Sequence, residues 1–241
     1  MRRRGIRSGD DANWPFSARI APDGTFAVGR SGTSLRAVAL TGVELWTLKN
    51  VSSSGLPSIS ADGNHLVFSD GEKRLTAYDI AKKEMVRLNA TGSNPVWDPR
   101  RERIAYENAT EVSIYDVGSG SNVLVGQGSE PSWSPDGGLA IRVTSSQIDL
   151  IDVRTGQRRP LIAASTHVSV PIWSPGGEWM MYTRRGPRRW WSLAEWTGSE
   201  PTQVVIRHPK DGSETSIGEI YKSNPGDYAW VTSDTVCRAR Q

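Results

Sequence analysis

Several common routes to a function are closed by what this sequence lacks. It has a single cysteine, Cys237, so neither an internal disulfide nor a cysteine-based zinc site can form. Its three histidines, His65, His167 and His208, share no spacing. No Gly-x-Ser-x-Gly elbow, phosphate-binding glycine loop or His-Glu-x-x-His helix occurs. No apolar run approaches the length of a membrane span. The basic start from Met1 to Arg7 has no apolar stretch behind it and is not an intact secretory signal. Taken literally, that start places the chain in the cytoplasm; a signal already removed would place it in a bacterial periplasm or envelope. The net charge of +3 is too small to imply nucleic acid.

Turn residues and tryptophan are abundant. Twenty-four Gly and 14 Pro mark frequent tight turns, and ten Trp stand against three Phe. A strand–turn–strand unit returns six times, with its turn at Pro22-Asp-Gly24, Ala61-Asp-Gly63, Pro99-Arg-Arg101, Pro135-Asp-Gly137, Pro175-Gly-Gly177 and, in worn form, Thr232-Ser-Asp234. Successive steps are 39, 38, 36, 40 and 57 residues. In the turn, Pro presets φ, Asp bonds its own backbone and Gly accepts a positive φ. The strand after it is rich in Ile, Val, Phe and Tyr, which suit a pleated buried surface. Between units there is room for two more strands, such as Arg74–Asp79 and Glu84–Leu88. Four short antiparallel strands per repeat is the spacing of a β-propeller blade. Leucine-rich and helical repeats are excluded, because no unit carries a helical apolar period.

Trp97, Trp133, Trp173 and Trp230 share one repeat position with Ile20 and Ile59. They read as packing residues wedged between blades, since Ile replaces Trp there and Ile offers no stacking face. Asp23, Asp62 and Asp136 read as turn residues and not as catalytic carboxylates.

The string Pro131-Ser-Trp-Ser-Pro-Asp-Gly137, echoed at Pro171-Ile-Trp-Ser-Pro-Gly-Gly177, resembles the repeat of TolB-type propellers. Ile104-Ala-Tyr106 and Ile114-Tyr-Asp116 fit the same pattern, and the likeness runs from about Ser17 onward. It implies a propeller, commonly six-bladed in that family and often part of a bacterial envelope protein or fused to a catalytic domain. The expected fold is therefore an all-β propeller of six four-stranded blades, the last incomplete or completed by the N-terminal segment 1–13. Five blades closed by a cap is the alternative. Residues 14–241 form one propeller domain in either case.

The fold leaves function open. Residues opening the inner strands, Asn94, Glu130, His167 and Asp227, are expected at one mouth of the central channel. The long step holds an insertion spanning 184–200, with Arg184, Arg185, Arg188 and Arg189 beside Trp190, Trp191 and Trp196. Arg and Trp are the residues enriched at protein–protein hot spots, and long loops carry function more often than core positions do. The alternative is a loop folded down over an exposed blade edge. The expectation is a non-catalytic scaffold docking a protein partner, acidic by charge complementarity, through that insertion. A lectin-like propeller stacking sugars on the same tryptophans is the second reading. A lyase or hydrolase using the channel mouth has the least support. No cofactor, metal or nucleic acid is called for.

Overall fold

The computed structural model describes residues 18–51, 53, 56–164, 166–169, 171–185, 202–220, 228–232 and 235–238. The first blade is built from β1 (Ala18–Ile20), β2 (Phe26–Ser31), β3 (Ser34–Ala39) and β4 (Glu44–Leu48). The second takes β5 (Ser58–Ile59), β6 (His65–Ser69), β7 (Arg74–Asp79) and β8 (Glu84–Thr91). The third takes β9 (Ser93–Trp97), β10 (Arg103–Asn108), β11 (Glu111–Asp116) and β12 (Asn122–Gln127). The fourth takes β13 (Ser129–Trp133), β14 (Leu139–Thr144), β15 (Gln147–Ile151) and β16 (Arg158–Ala163). The fifth takes β17 (Ile172–Trp173), β18 (Met180–Arg185), β19 (Thr202–Arg207) and β20 (Glu214–Ile220). Each is an antiparallel meander with strands paired in chain order. First strands of successive blades are neighbours, so β1, β5, β9, β13 and β17 form the inner wall.

The molecule is thus an all-β propeller of five blades with four antiparallel strands each. Six four-stranded blades are not what forms. Among the described residues, the sixth repeat, whose turn is worn to Thr232-Ser-Asp234, yields the two-stranded sheet of β21 (Tyr228–Thr232) and β22 (Thr235–Arg238). Segment 1–13, expected to complete the last blade, lies outside the described residues.

The turn chemistry recurs as the residue types require. The amide of Gly24, Gly63, Gly137 or Gly177 donates to the carbonyl three residues back, at 2.8–3.0 Å. These glycines take φ of 70–91°, where a Cβ would be strained. Asp62 accepts from the Ser60 hydroxyl (2.5 Å) and the Asn64 amide (3.0 Å), and these bonds pull its carboxyl down to about 2.

Alternating side chains send each sheet's two faces into two different cores. Leu66 and Phe68 of β6 pack with Val28 and Leu35 of blade one, while Val67 between them packs with Ile104 and Tyr106 of blade three. Similar clusters join blades three and four around Ala105 and Ile141, and blades four and five around Ile148 and Met180. Each fully buried Leu, Ile, Val or Phe contributes roughly 1.5–3 kcal/mol. The repeated aromatic position serves this packing: Trp133 is buried, and Trp97, Trp173 and Ile59 pack against the inter-blade clusters. Trp133 Nε1 also donates to the Val96 carbonyl of the preceding blade at 3.1 Å. The Arg103 guanidinium lies 5.1 Å from the Trp133 ring and is bonded to Asp98, which is 1% exposed. Ile20 is more exposed, and the Trp230 side chain lies outside the described residues.

Candidate functional site

In each meander the first strand leaves one face, turns at the Pro-Asp-Gly corner, and the second strand returns. The blade-to-blade connections, the starts of the inner strands and the second-to-third-strand loops therefore share one face. Two polar constellations are built there.

The first surrounds Asn94 and Glu130, which occupy equivalent positions in the sequences Gly92-Ser-Asn-Pro95 and Gly128-Ser-Glu-Pro131. Both have a positive φ, 48° and 51°, uncommon for residues with a Cβ. The glycine two residues earlier is required for space. A Cβ on Gly92 would sit 2.1 Å from the Glu107 carbonyl oxygen, and one on Gly128 would sit 2.8 Å from Ile141 Cδ1. Glu107 Oε1 accepts from Asn94 Nδ2 at 3.0 Å and from the Glu130 backbone amide. The Glu130 carboxylate in turn pairs with Arg142 at 2.6 Å. One glutamate thus ties the inner strands of blades three and four together. Glu107 and Arg142 belong to second strands and escape a reading confined to strand openings.

The second constellation is a cleft of ≈ 650 Å³ between blades four and five, whose lining includes Thr166, Tyr182, Arg184, Arg185, Gln203, Arg207 and Glu214. The connection from blade four runs along the end of β18. The Arg185 amide donates to the His167 carbonyl (3.0 Å), the Thr166 hydroxyl donates to the Arg185 carbonyl (3.2 Å), and Val168 bridges Arg184. His167 is therefore a backbone neighbour of the arginines.

Glu214 is the centre of the cleft. Its Oε1 accepts from the Tyr182 hydroxyl at 2.8 Å and from Arg207 Nη1 at 2.5 Å, and its Oε2 accepts from Arg184 Nη1 at 2.9 Å. Arg184 Nε also donates to Gln203 Oε1 at 3.3 Å. Partial burial pushes the Glu214 carboxyl up, but the Tyr182 hydroxyl and the two guanidiniums outweigh it and hold it below the ordinary glutamate range. Burial, reinforced by the hydrogen bond to the Glu214 carboxylate, pushes the Tyr182 hydroxyl up from its ordinary value. It therefore remains a neutral donor at physiological pH.

Of the residues singled out in the sequence, the structure brings Arg184 and Arg185 together in this cleft. Arg188, Arg189, Trp190, Trp191, Trp196 and Asp227 lie outside the described residues. Tyr182, Gln203, Arg207 and Glu214 were missed. A local signal existed for two of them: Arg207 and Glu214 flank the Pro209–Gly212 turn and face each other across β19 and β20. Among the described residues, no group of three or more His, Cys, Asp and Glu is placed to hold a metal, and no helix is long and apolar enough to cross a membrane.

Comparison with known proteins supports the fold. The chain is similar to TolB from Acinetobacter baumannii, with 19% identity and a TM-score of 0.62 over 82% of this chain. It spans 55% of that protein's length. A TolB-type structure from Agrobacterium tumefaciens matches at 16% identity and a TM-score of 0.65, covering 85% of this chain and 80% of that one. An oligogalacturonate lyase in complex with manganese matches at 15% identity and a TM-score of 0.58, over 88% of this chain and 67% of the lyase. No family model matches the sequence. The fold is a β-propeller similar to that of TolB proteins.

Proposed function

We propose that this chain is a non-catalytic binding propeller that docks a protein partner on the face carrying its blade-to-blade connections, with the arginine cleft between blades four and five as the anchor. The observation that supports this best is the charge of the cleft. Its lining holds three guanidiniums and one carboxylate, at the root of the Arg- and Trp-bearing segment 186–201. Arginine anchors in partly desolvated pockets are the usual energetic centres of protein interfaces. The Arg184 guanidinium is held by Glu214 and Gln203 and that of Arg207 by Glu214, so these two side chains have little rotamer entropy left to lose on docking. The TolB-type fold is compatible with such a scaffold.

The test is site-specific photo-crosslinking in the native host. A photoreactive residue replacing Gln203, in the cleft, is expected to give a discrete protein adduct. The same residue replacing Asn64, at a turn on the opposite face, is expected to give none. Absence of an adduct from Gln203, or equal adducts from both positions, would overturn the reading.

A further inference from the structure

We infer that the cleft between blades four and five recognises carboxylates of an acidic protein segment, and that Glu214 is a built-in occupant of the same guanidinium cradle. This rests on the protein-docking reading above and specifies the chemistry of the partner.

Three observations support it. First, the cradle already holds a carboxylate: Tyr182 and Arg207 serve one oxygen of Glu214, and Arg184 serves the other. Arginine matches the planar, two-oxygen geometry of a carboxylate. Second, Arg184 and Arg207 share the single carboxylate of Glu214, so this pair of guanidiniums keeps a surplus of positive charge, in a volume of ≈ 650 Å³ that exceeds what one ion needs. A segment carrying two or more acidic side chains fits both the charge and the space. Third, the charge is not imposed by the fold. The equivalent cleft between blades two and three, ≈ 440 Å³ in volume, has no arginine in its lining.

A single-stranded nucleic acid fits less well, because such sites combine cations with aromatic platforms. Tyr182, the aromatic residue of the described lining, is 2% exposed and its hydroxyl is engaged. Its ring therefore offers no platform.

The arrangement makes an unusual prediction about Glu214. If it competes with an incoming acidic group, neutralising it strengthens binding. The probe is a labelled hexaglutamate peptide, titrated by fluorescence anisotropy against the full chain, with hexaglutamine as the uncharged control. Binding of hexaglutamate but not hexaglutamine is expected. Glu214→Gln is expected to tighten it several-fold, and Arg184→Gln to weaken it about tenfold, equivalent to the loss of about 1.4 kcal/mol. Circular dichroism checks that each variant keeps its β-sheet spectrum; Arg184→Lys, which keeps the charge, restores part of the affinity if the loss is electrostatic.

Equal binding of the two peptides would overturn the inference. So would a folded Glu214→Gln variant that binds no better than the parent, or preferential binding of an oligonucleotide, inorganic phosphate or phosphatidylserine vesicles over the peptide. If hexaglutamate fails while the Gln203 crosslink forms, the acidic chemistry is wrong and protein docking stands. If hexaglutamate binds while no crosslink forms, it is the docking reading that fails.

Discussion

The propeller builds one cleft twice, between blades two and three and between blades four and five, and gives the two copies opposite chemistry. Strand register aligns them residue by residue. Ile104 pairs with Trp97 as Met180 pairs with Trp173, so Tyr106 corresponds to Tyr182 and Asn108 to Arg184. In the first cleft the Tyr106 hydroxyl donates to Asn122 Oδ1 at 2.8 Å, and Asn122 Nδ2 reaches the Asn89 carbonyl at 3.0 Å. In the second, Tyr182 donates to Glu214, and arginines complete the shell. The tyrosine, the strand ends and the packing beneath are shared. What differs is the set of partners each blade offers that tyrosine. The repeat dictates where a cleft lies, and the departures from it dictate what the cleft can hold.

The largest expected effects concern the shared part. Ile104 and Met180 are both fully buried under their clefts, so Ile104→Ala and Met180→Ala should each cost about 2–5 kcal/mol in urea unfolding. A large cost at one site and a negligible one at the other would break the equivalence.

The next test separates the two chemistries. Tyr106→Phe removes a neutral hydrogen bond and should cost about 0.5–1.5 kcal/mol, whereas Tyr182→Phe removes one to a carboxylate and should cost about 1.5–3 kcal/mol. Equal losses would mean that Glu214 draws no more from its tyrosine than Asn122 does.

Acidity gives a smaller, signed effect. Glu214 is held below its ordinary value, so its ionised form is favoured in the folded state. The stability it contributes is present above the ordinary glutamate pKa and is lost as pH falls through the depressed folded value. Urea midpoints compared between the parent and Glu214→Gln should converge on acidification. Asn122→Asp would bring a pH dependence to the hydrogen bond of Tyr106, which has none from Asn122 itself.

Salt should have the smallest effect on the fold and a clear one on binding. The Arg184–Glu214 pair is partly exposed, at 34% and 23%, and at about 1 M salt the screening length shortens to about 3 Å. Hexaglutamate affinity should fall across that range while the unfolding midpoint moves little.

Much of this architecture was legible in the sequence, and the reason lies in its locality. The Pro-Asp-Gly turn joins adjacent strands, so its spacing exposes each blade directly. The Trp–Ile interchange at one repeat position identified packing residues, as Trp133 and Ile59 show. Blade number was harder, because the sixth turn signal is worn to Thr232-Ser-Asp234, and among the described residues β21 and β22 alone flank it. The sites were only half legible. Arg184 and Arg185 stood out as part of a cationic run, and Asn94 and Glu130 as strand openers. Their partners Glu214, Arg207, Glu107 and Arg142 sit singly in ordinary strands, between 12 and 30 residues away along the chain in the cases of Arg142 from Glu130 and Glu214 from Arg184. Only the sheet register and the seating of one blade on the next bring them together.

The central claim is that function follows the arginine-bearing cleft and not its arginine-free twin. Photo-crosslinking from Gln203 and from its register equivalent Glu111 tests this most directly, since the two positions face the same kind of cleft on the same face. A protein adduct from position 203 and none from position 111 is the predicted result; adducts from 111 alone, or indistinguishable adducts from both, would contradict it.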